Sequence, residues 1–327
     1  MVVNDAMDIH GGKAICLGPK NYVGRNFQQV PIAITVEGAN ILTRSLIIYG
    51  QGAVRCHPYV LKEMHSVHMD DKVQGLKDFD VALFGHIGHV IGNMVRSLVL
   101  SVSGGHTALP PMKGATRRYY QKLTRYSASF AFLSDMVMLT VGGKLKFKEK
   151  ISARLGDVLS LLFMGASVLK RFRDQGQQEE DLPLLHWSMA YVLYNIQQTL
   201  DDLMTNLPNR AFMTVVRAFI FPLGRRQRQP SDRLGKKVAQ LFTRSTGARD
   251  RLTEDIYKTV EPGNPLALMS QLMVDVIANE GIQKTFAKAI KSGDIGARYL
   301  EEQLAEAVSL GILTQSQADT LHDIENR

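Results

Sequence analysis

Apolar residues recur along most of the chain at the three- and four-residue spacing of amphipathic helices, and almost no segment shows the alternation of a β-strand. Fourteen methionines against a single tryptophan also favour helices packed on helices. The pattern therefore predicts an all-α fold. The predicted helices cover about 76–102, 115–141, 151–173, 184–206, 208–221, 232–245, 264–290 and 296–326. An earlier helix is expected to begin near Asn40 and to be interrupted by Pro58.

The longest apolar run, 81–102, lies in the first of the long helices. Polar residues interrupt this run, so it falls short of the roughly 20 apolar residues that a membrane-spanning helix needs. We expect it to be a core helix. Glycines within the run would allow a neighbouring helix to approach closely. These glycines are Gly85, Gly88 and Gly92.

Histidines in and before this helix raise the question of a metal site. They are His65, His68, His86 and His89, in two pairs with i,i+3 spacing. No cysteine cluster and no Glu-x-x-His motif accompanies them. The sequence therefore predicts polar packing or solvent exposure for these side chains, and no metal site.

The composition, 45% hydrophobic and 21% charged, is ordinary for a soluble globular protein. The two cysteines, Cys16 and Cys56, have no pairing pattern, and the chain starts without the features of a signal peptide. We therefore expect a reducing, cytoplasmic setting. The cysteines match no catalytic or metal-binding spacing, so buried thiols are expected.

Basic residues are concentrated between Arg210 and Arg251, where apolar residues are interleaved with them. Such a segment can lie on an anionic membrane surface, where each cation contributes about 1 kcal/mol. A solvated charged face or a subunit contact explains the same pattern. A pI near 9.4 also suits nucleic-acid binding, but no zinc-finger spacing or RNP-like motif supports that reading. We therefore expect no nucleic-acid partner.

Glu37 is the best candidate for chemistry. It lies between apolar residues and is followed at once by Gly38. Partial desolvation would raise the pKa of this carboxyl group toward the range of a general base, and the glycine would give a ligand access to it. The alternative is that Glu37 is only the first-turn acid of the following helix, favoured there by the helix dipole. On the local pattern alone, the alternative is the commoner case.

Two motifs shift the balance toward catalysis: Asp8-Ile9-His10-Gly11-Gly12-Lys13 and Val36-Glu37-Gly38-Ala39-Asn40-Ile41-Leu42-Thr43-Arg44. Together they resemble the end of the acyl-CoA dehydrogenase fold, and the run 11–64 is similar to the large bacterial enzymes of fatty-acid β-oxidation. The resemblance implies that Glu37 removes the α-proton of an acyl thioester and that Gly38 lies beside the thioester. It also implies an FAD site. The residues of that site would be Asp8, Gly11, Gly12, Ala39, Asn40 and Ile41.

This resemblance also implies a domain organisation. Residues 1–60 would end the helical domain that carries the base, and residues 61–327 would form the helical extension of the bacterial enzymes. The flavin- and acyl-binding domains of the family have no counterpart in the sequence. We therefore expect the C-terminal part of a longer enzyme that is inactive alone. Its implied partners are medium- or long-chain acyl-CoA, an electron-transfer flavoprotein and a second subunit in a homodimer.

The competing hypothesis is a non-catalytic helical module. In that case the basic face at 210–251 would dock on a membrane surface or on a partner protein. Either hypothesis is compatible with a cytoplasmic protein that binds peripherally to the inner membrane.

Overall fold

The computed structural model describes residues 2–18, 21–34, 42–259, 261 and 264–326. Every regular element in these ranges is helical and none is a strand, so the prediction of an all-α fold is confirmed. The described chain forms two compact units, residues 1–235 and 236–327. The division of the family domains at residue 60 is a separate question and stays a prediction.

The first unit begins with short helices. These are α1 (Val2–His10), α2 (Gly12–Ile15), α3 (Tyr22–Gln29), a 3₁₀ turn (Val30–Ile34), a π-helical segment (Leu42–Gln51), α4 (Gly52–Arg55) and α5 (Val60–Val67). Asn21 fixes the start of α3, since its side chain accepts a hydrogen bond from the Gly24 amide at 2.7 Å. The same amide side chain donates to the Ala14 carbonyl oxygen at 2.7 Å. The helix before Pro58 ends at Arg55, as predicted.

Long helices build the core of this unit. They are α6 (Lys72–Val102), α7 (Arg117–Val141), α8 (Glu149–Asp174), α9 (Leu182–Asn206) and α10 (Arg210–Ile220). Leu133, Leu155 and Ile196 are fully buried where α7, α8 and α9 meet. Gly165 permits this approach, because a Cβ there would lie 2.9 Å from Leu123 Cδ2 and 3.2 Å from Val192 Cγ1.

By length and composition alone, two helical stretches could cross a membrane, Gly114–Phe147 and Glu149–Asp174. Both stretches supply core residues, because Leu133 of the first and Leu155 of the second are fully buried. Their apolar character is therefore used, at least in part, for packing within the unit.

The prediction of a core helix at 81–102 is confirmed only in part. Val90 and Met94 of α6 pack against the main core and Leu100 is buried, and Ser97 Oγ lies 3.1 Å from Ser129 Oγ of α7. Other large apolar side chains of α6 are exposed. The exposed fractions of Val81 and Phe84 are 76% and 71%. Gly85 does meet a neighbour, the Tyr59 ring, whereas a Cβ at Gly88 or Gly92 would have no described atom within 4 Å. The apolar face of α6 stays partly exposed because the small and polar side chains on its other face let a neighbouring helix approach more closely than branched side chains would.

The cysteine prediction is also wrong, since Cys16 and Cys56 are both exposed. Each follows directly after a four-residue helix, α2 or α4, which is too short to bury its own end.

The second unit begins within α11 (Asp232–Phe242). Its helices are α12 (Gly247–Thr253), α13 (Pro265–Ala278), α14 (Glu280–Ser292), α15 (Leu300–Ser309) and α16 (Gln315–Asn326). The helix predicted at 264–290 is in fact two helices, α13 and α14, and the helix predicted at 296–326 is α15 and α16. Gly311, with a φ of +68°, follows the end of α15. Phe286, Leu304 and Leu321 belong to a small core of this unit.

Candidate functional site

The glycine motif forms an open turn between α1 and α2. Gly11 has a φ of +56°, a conformation that favours glycine, and a Cβ at Gly11 or Gly12 would have no described atom within 4 Å. Asp8, one turn earlier on α1, is exposed. The turn therefore leaves its backbone accessible to an extended ligand, while Asp8 adds a negative charge nearby.

The other predicted site residues fall outside the described part of the chain. They are Glu37, Gly38, Ala39, Asn40 and Ile41. Their predicted roles in catalysis and FAD binding stay predictions.

The π-helical segment that follows these residues is anchored on α8. Arg44 forms an ion pair with Asp157, and a Cβ at Gly156 would lie only 2.9 Å from the Arg44 carbonyl oxygen. Tyr49, later in the segment, is part of the main core and contacts Phe130 edge-on, with ring centroids 6.1 Å apart. Burial raises the pKa of Tyr49 to about 12, so its hydroxyl stays neutral. The segment 42–51, which follows the predicted catalytic residues in the sequence, is thus held at a fixed place on the core.

A polar cluster lies next to this segment, where α5, α6 and α7 meet. His57 Nε2 is 3.1 Å from Oδ1 of the buried Asp135. The other ring nitrogen, Nδ1, accepts the backbone N–H groups of Tyr59 at 3.2 Å and Val60 at 3.1 Å, where α5 begins. Because Nδ1 accepts, neutral His57 must carry its proton on Nε2 and donate it to Asp135. His57 therefore links the start of α5 to α7.

Two more histidines complete this cluster. His86 Nδ1 lies 2.8 Å from Glu63 Oε1, and its Nε2 is 4.0 Å from Asp135 Oδ1. Asn93 donates to His89 Nε2 at 2.9 Å and makes a longer contact of 3.4 Å with Asp135 Oδ2. The cluster thus joins two carboxylates, one of them buried, through three histidines.

The donor atoms of His57, His89 and Asp135 lie within 4.8 Å of one another, which would suit a metal ion. The tautomer of His57 argues against one. A metal on Nε2 would replace the proton while Nδ1 still accepts two N–H groups, whereas metal-bound imidazoles usually donate from the second nitrogen. The cluster therefore fits a hydrogen-bonded network better than a metal centre.

The cluster forms the polar part of a cleft with a volume of about 1000 Å³. Glu63, His86 and Asp135 line this part. Most of the remaining wall is aliphatic and comes from the π-helical segment, α4, α5, α6 and α7. Wall residues include Leu46, Val60, Leu83, Val90, Met136 and Met138. A volume of this size is at the upper end for small-molecule sites.

Sequence reasoning found only part of this cluster. The histidine pattern in the sequence contains His86 and His89, but it also contains His65 and His68, which are exposed and lie outside the cluster. His57, Asp135 and Glu63 are not part of that histidine pattern. His57 and Asp135 are 78 positions apart, so no local motif connects them. The one usable signal was His57 itself, which precedes Pro58 at the start of a helix.

His57 makes the stability of the fold depend on pH. Burial lowers its pKa, a change that the nearby Asp135 only partly opposes, and His86 and His89 lower it further. The unfolded chain therefore binds more protons than the folded one below about pH 6.5, the unperturbed value for histidine. We expect the free energy of unfolding to fall as the pH drops through that value. Urea unfolding at pH 5.5 and 7.5 measures the effect.

The matched variant for this prediction is His57→Asn, whose side chain can still accept a backbone N–H but does not titrate. The variant should show a smaller loss of stability between the two pH values than the wild type. Part of the loss should persist, because burial also lowers the pKa of His186. An equal loss in both proteins contradicts the assignment.

In the structure, residues of the basic segment 210–251 make different kinds of contact. Val216 and Ile220 of α10 are buried in the main core, so the apolar face of this helix is not available to a membrane. Arg217 and Arg225 both pair with Asp201, the latter with an Nη1–Oδ2 distance of 2.6 Å. Membrane contact through the rest of the window stays a prediction.

In the described part of the chain, both units are built from helices alone, and the first unit carries the polar cluster and its cleft. A comparison with protein-family models matches residues 54–327 to the family described as acyl-CoA dehydrogenase, C-terminal, bacterial type. Because the match covers most of the chain, the protein belongs to this family, and the resemblance stated from the sequence is confirmed. No solved structure matches the chain. The matched range includes the His57–Asp135 cluster and excludes the Gly11 turn and Glu37.

Proposed function

We propose that this chain is the C-terminal portion of an FAD-dependent enzyme that converts medium- or long-chain acyl-CoA to trans-2-enoyl-CoA in fatty-acid β-oxidation. The family match over 54–327 carries the proposal, because it puts the chain among the acyl-CoA dehydrogenases. In this proposal, residues before the match would supply what the reaction needs. A carboxylate followed by glycine comes shortly before a helix that is anchored on the core.

In this proposal Glu37 is the base. The carbon next to a thioester is weakly acidic, so a carboxylate must be held beside it to remove its proton. The oxidation is complete only when a hydride also leaves from the neighbouring carbon. Glu37 would take the α-proton, and Gly38 would leave space for the thioester. Bound FAD would supply the hydride acceptor. An electron-transfer flavoprotein would then accept the electrons.

Of the residues that would hold FAD, Gly11 and Gly12 have a backbone that is open enough for the diphosphate of the cofactor. At Gly11 and Gly12 the backbone is open, so a ligand can approach it without meeting a side chain. In this proposal Gly11 and Gly12 approach the diphosphate most closely, because the exposed carboxylate of Asp8 would be unfavourable beside it. Asp8 would lie at the edge of the same site. Ala39, Asn40 and Ile41 would lie near the adenosine part.

The experiment uses the complete enzyme, that is, this chain together with its flavin- and acyl-binding domains, purified with FAD. Short, medium and long acyl-CoA thioesters are added without oxygen, and the flavin absorbance is followed. We expect the oxidised flavin band to disappear with medium and long chains. An unchanged band with every thioester would contradict the proposed function.

A further inference from the structure

The cleft beside the histidine cluster has a composition that selects its ligand. We propose that it binds an aliphatic chain with a positively charged, hydrogen-bond-donating head, such as a protonated alkylamine. The head would lie against Asp135 and Glu63, and the chain would lie along the aliphatic wall. We infer this from the lining of the cleft alone, without use of the proposed catalysis.

Aliphatic side chains make the wall suitable for an unbranched chain. The cleft holds about 1000 Å³, and most of its lining is Leu, Val, Ile and Met. Three methionines, Met64, Met136 and Met138, are flexible enough to adapt to chains of different length. Its rim includes exposed apolar residues, Ile87, Ile91 and Leu139, so a chain can enter from solvent.

The buried carboxylate in the polar part of the cleft receives few hydrogen bonds. Asp135 is 4% exposed, and a carboxylate has about four lone-pair positions. It receives one hydrogen bond of ordinary length, from His57 at 3.1 Å, and one long contact from Asn93 at 3.4 Å. The Nε2 atom of His86, at 4.0 Å, is too far away for a hydrogen bond. A buried carboxylate with open acceptor positions favours a further donor.

The charge of the neighbours points to the same head group. Burial lowers the pKa of His57, so the closest partner of Asp135 is neutral at pH 7. Glu63 is a second carboxylate on the lining, and Lys146, which is exposed, is the one lysine or arginine among the described lining residues. An anionic head would face two carboxylates in an apolar cleft, and such like-charge contacts cost several kcal/mol.

The test compares two probes of equal chain length, decylamine and decanoate, each below its micelle concentration. Calorimetry with the full chain measures their binding at pH 7. We expect decylamine to bind at least about tenfold more tightly than decanoate. Equal binding of the two probes would overturn the proposal.

Variants locate the site. Asp135→Asn keeps the side-chain shape and should reduce the preference for the amine to below about threefold. Glu63→Gln, at a half-buried position, should reduce it in the same direction and serves if Asp135→Asn does not fold. Asp80→Asn on the exposed side of α6 is the matched control and should change nothing.

Two other results would overturn the proposal. If the preference for the amine disappears in Val95→Ser, on the exposed face of α6 outside the cleft, the probe binds to that face instead. If the protein binds Zn²⁺ tightly and loses it in Asp135→Asn and in His89→Ala, the cluster is a metal site.

Discussion

Replacing Glu37 by Gln in the complete enzyme should slow flavin reduction by acyl-CoA by a factor of about 10²–10⁴, the range that a positioned general base contributes. Glutamine has almost the same size and still forms hydrogen bonds, but it does not accept the α-proton. FAD binding should be unaffected, since the proposed cofactor contacts are at the glycine turn and at residues 39–41. Anaerobic single-turnover spectroscopy gives the rate, and the visible flavin spectrum gives the cofactor content.

The matched control is Glu179→Gln, an exposed glutamate in the 3₁₀ turn before α9. It should reduce flavin at the wild-type rate. If Glu37→Gln also does so, Glu37 is the first-turn acid of its helix and another group removes the proton.

Gly156→Ala should destabilise the first unit and release the segment that follows the proposed base. Its Cβ would lie 2.9 Å from the carbonyl oxygen of Arg44, and a backbone atom moves away only if α8 or the whole segment shifts. Overpacking of this kind costs about 1–3 kcal/mol. The higher helix propensity of alanine offsets up to about 1 kcal/mol of this destabilisation. We therefore expect a net loss, measured as a lower free energy of unfolding, and faster hydrogen exchange in residues 42–51.

Gly88→Ala is the control for this change. It is also a glycine within a long helix, but its Cβ would have no described neighbour within 4 Å. It should leave the protein unchanged or stabilise it by up to about 1 kcal/mol. If Gly156→Ala behaves like Gly88→Ala, the segment is not tightly held against α8.

The long helices could be predicted because their apolar residues repeat over many turns. The predicted 115–141 and 184–206 correspond to α7 at 117–141 and α9 at 182–206. Breaks within an apolar pattern were harder to see. The helix predicted at 264–290 is interrupted at Asn279, which is both the C-cap of α13 and the N-cap of α14. Periodicity continues across such a short break, so the pattern alone does not reveal it.

Which face of a helix is buried could not be predicted for α6. The sequence shows an apolar side and a side with serine, asparagine and histidine, and the general rule buries the apolar side. In the structure the small residues pack, as Ser97 does on Ser129, and the His86 ring meets Glu63. Contacts between distant segments decided the orientation, and these are not visible in a local pattern.

One candidate site is visible as a local sequence motif, whereas the other depends on contacts between distant segments. The glycine turn at Gly11 was visible as a motif, and the structure describes it as an open turn. The link between His57 and Asp135 arises only when α5 and α7 come together. Short motifs therefore led to the proposed catalytic residues, whereas the cleft and its polar cluster required the folded chain.

The most direct measurement for the central claim separates proton removal from hydride transfer. The complete enzyme is first reduced, so that its flavin does not accept a hydride, and is then incubated with saturated acyl-CoA in D₂O. Mass spectrometry of the recovered thioester counts the deuterium at the α-carbon. If Glu37 is the base, the wild-type enzyme exchanges the α-protons and Glu37→Gln does not. Equal exchange by both proteins would contradict the account.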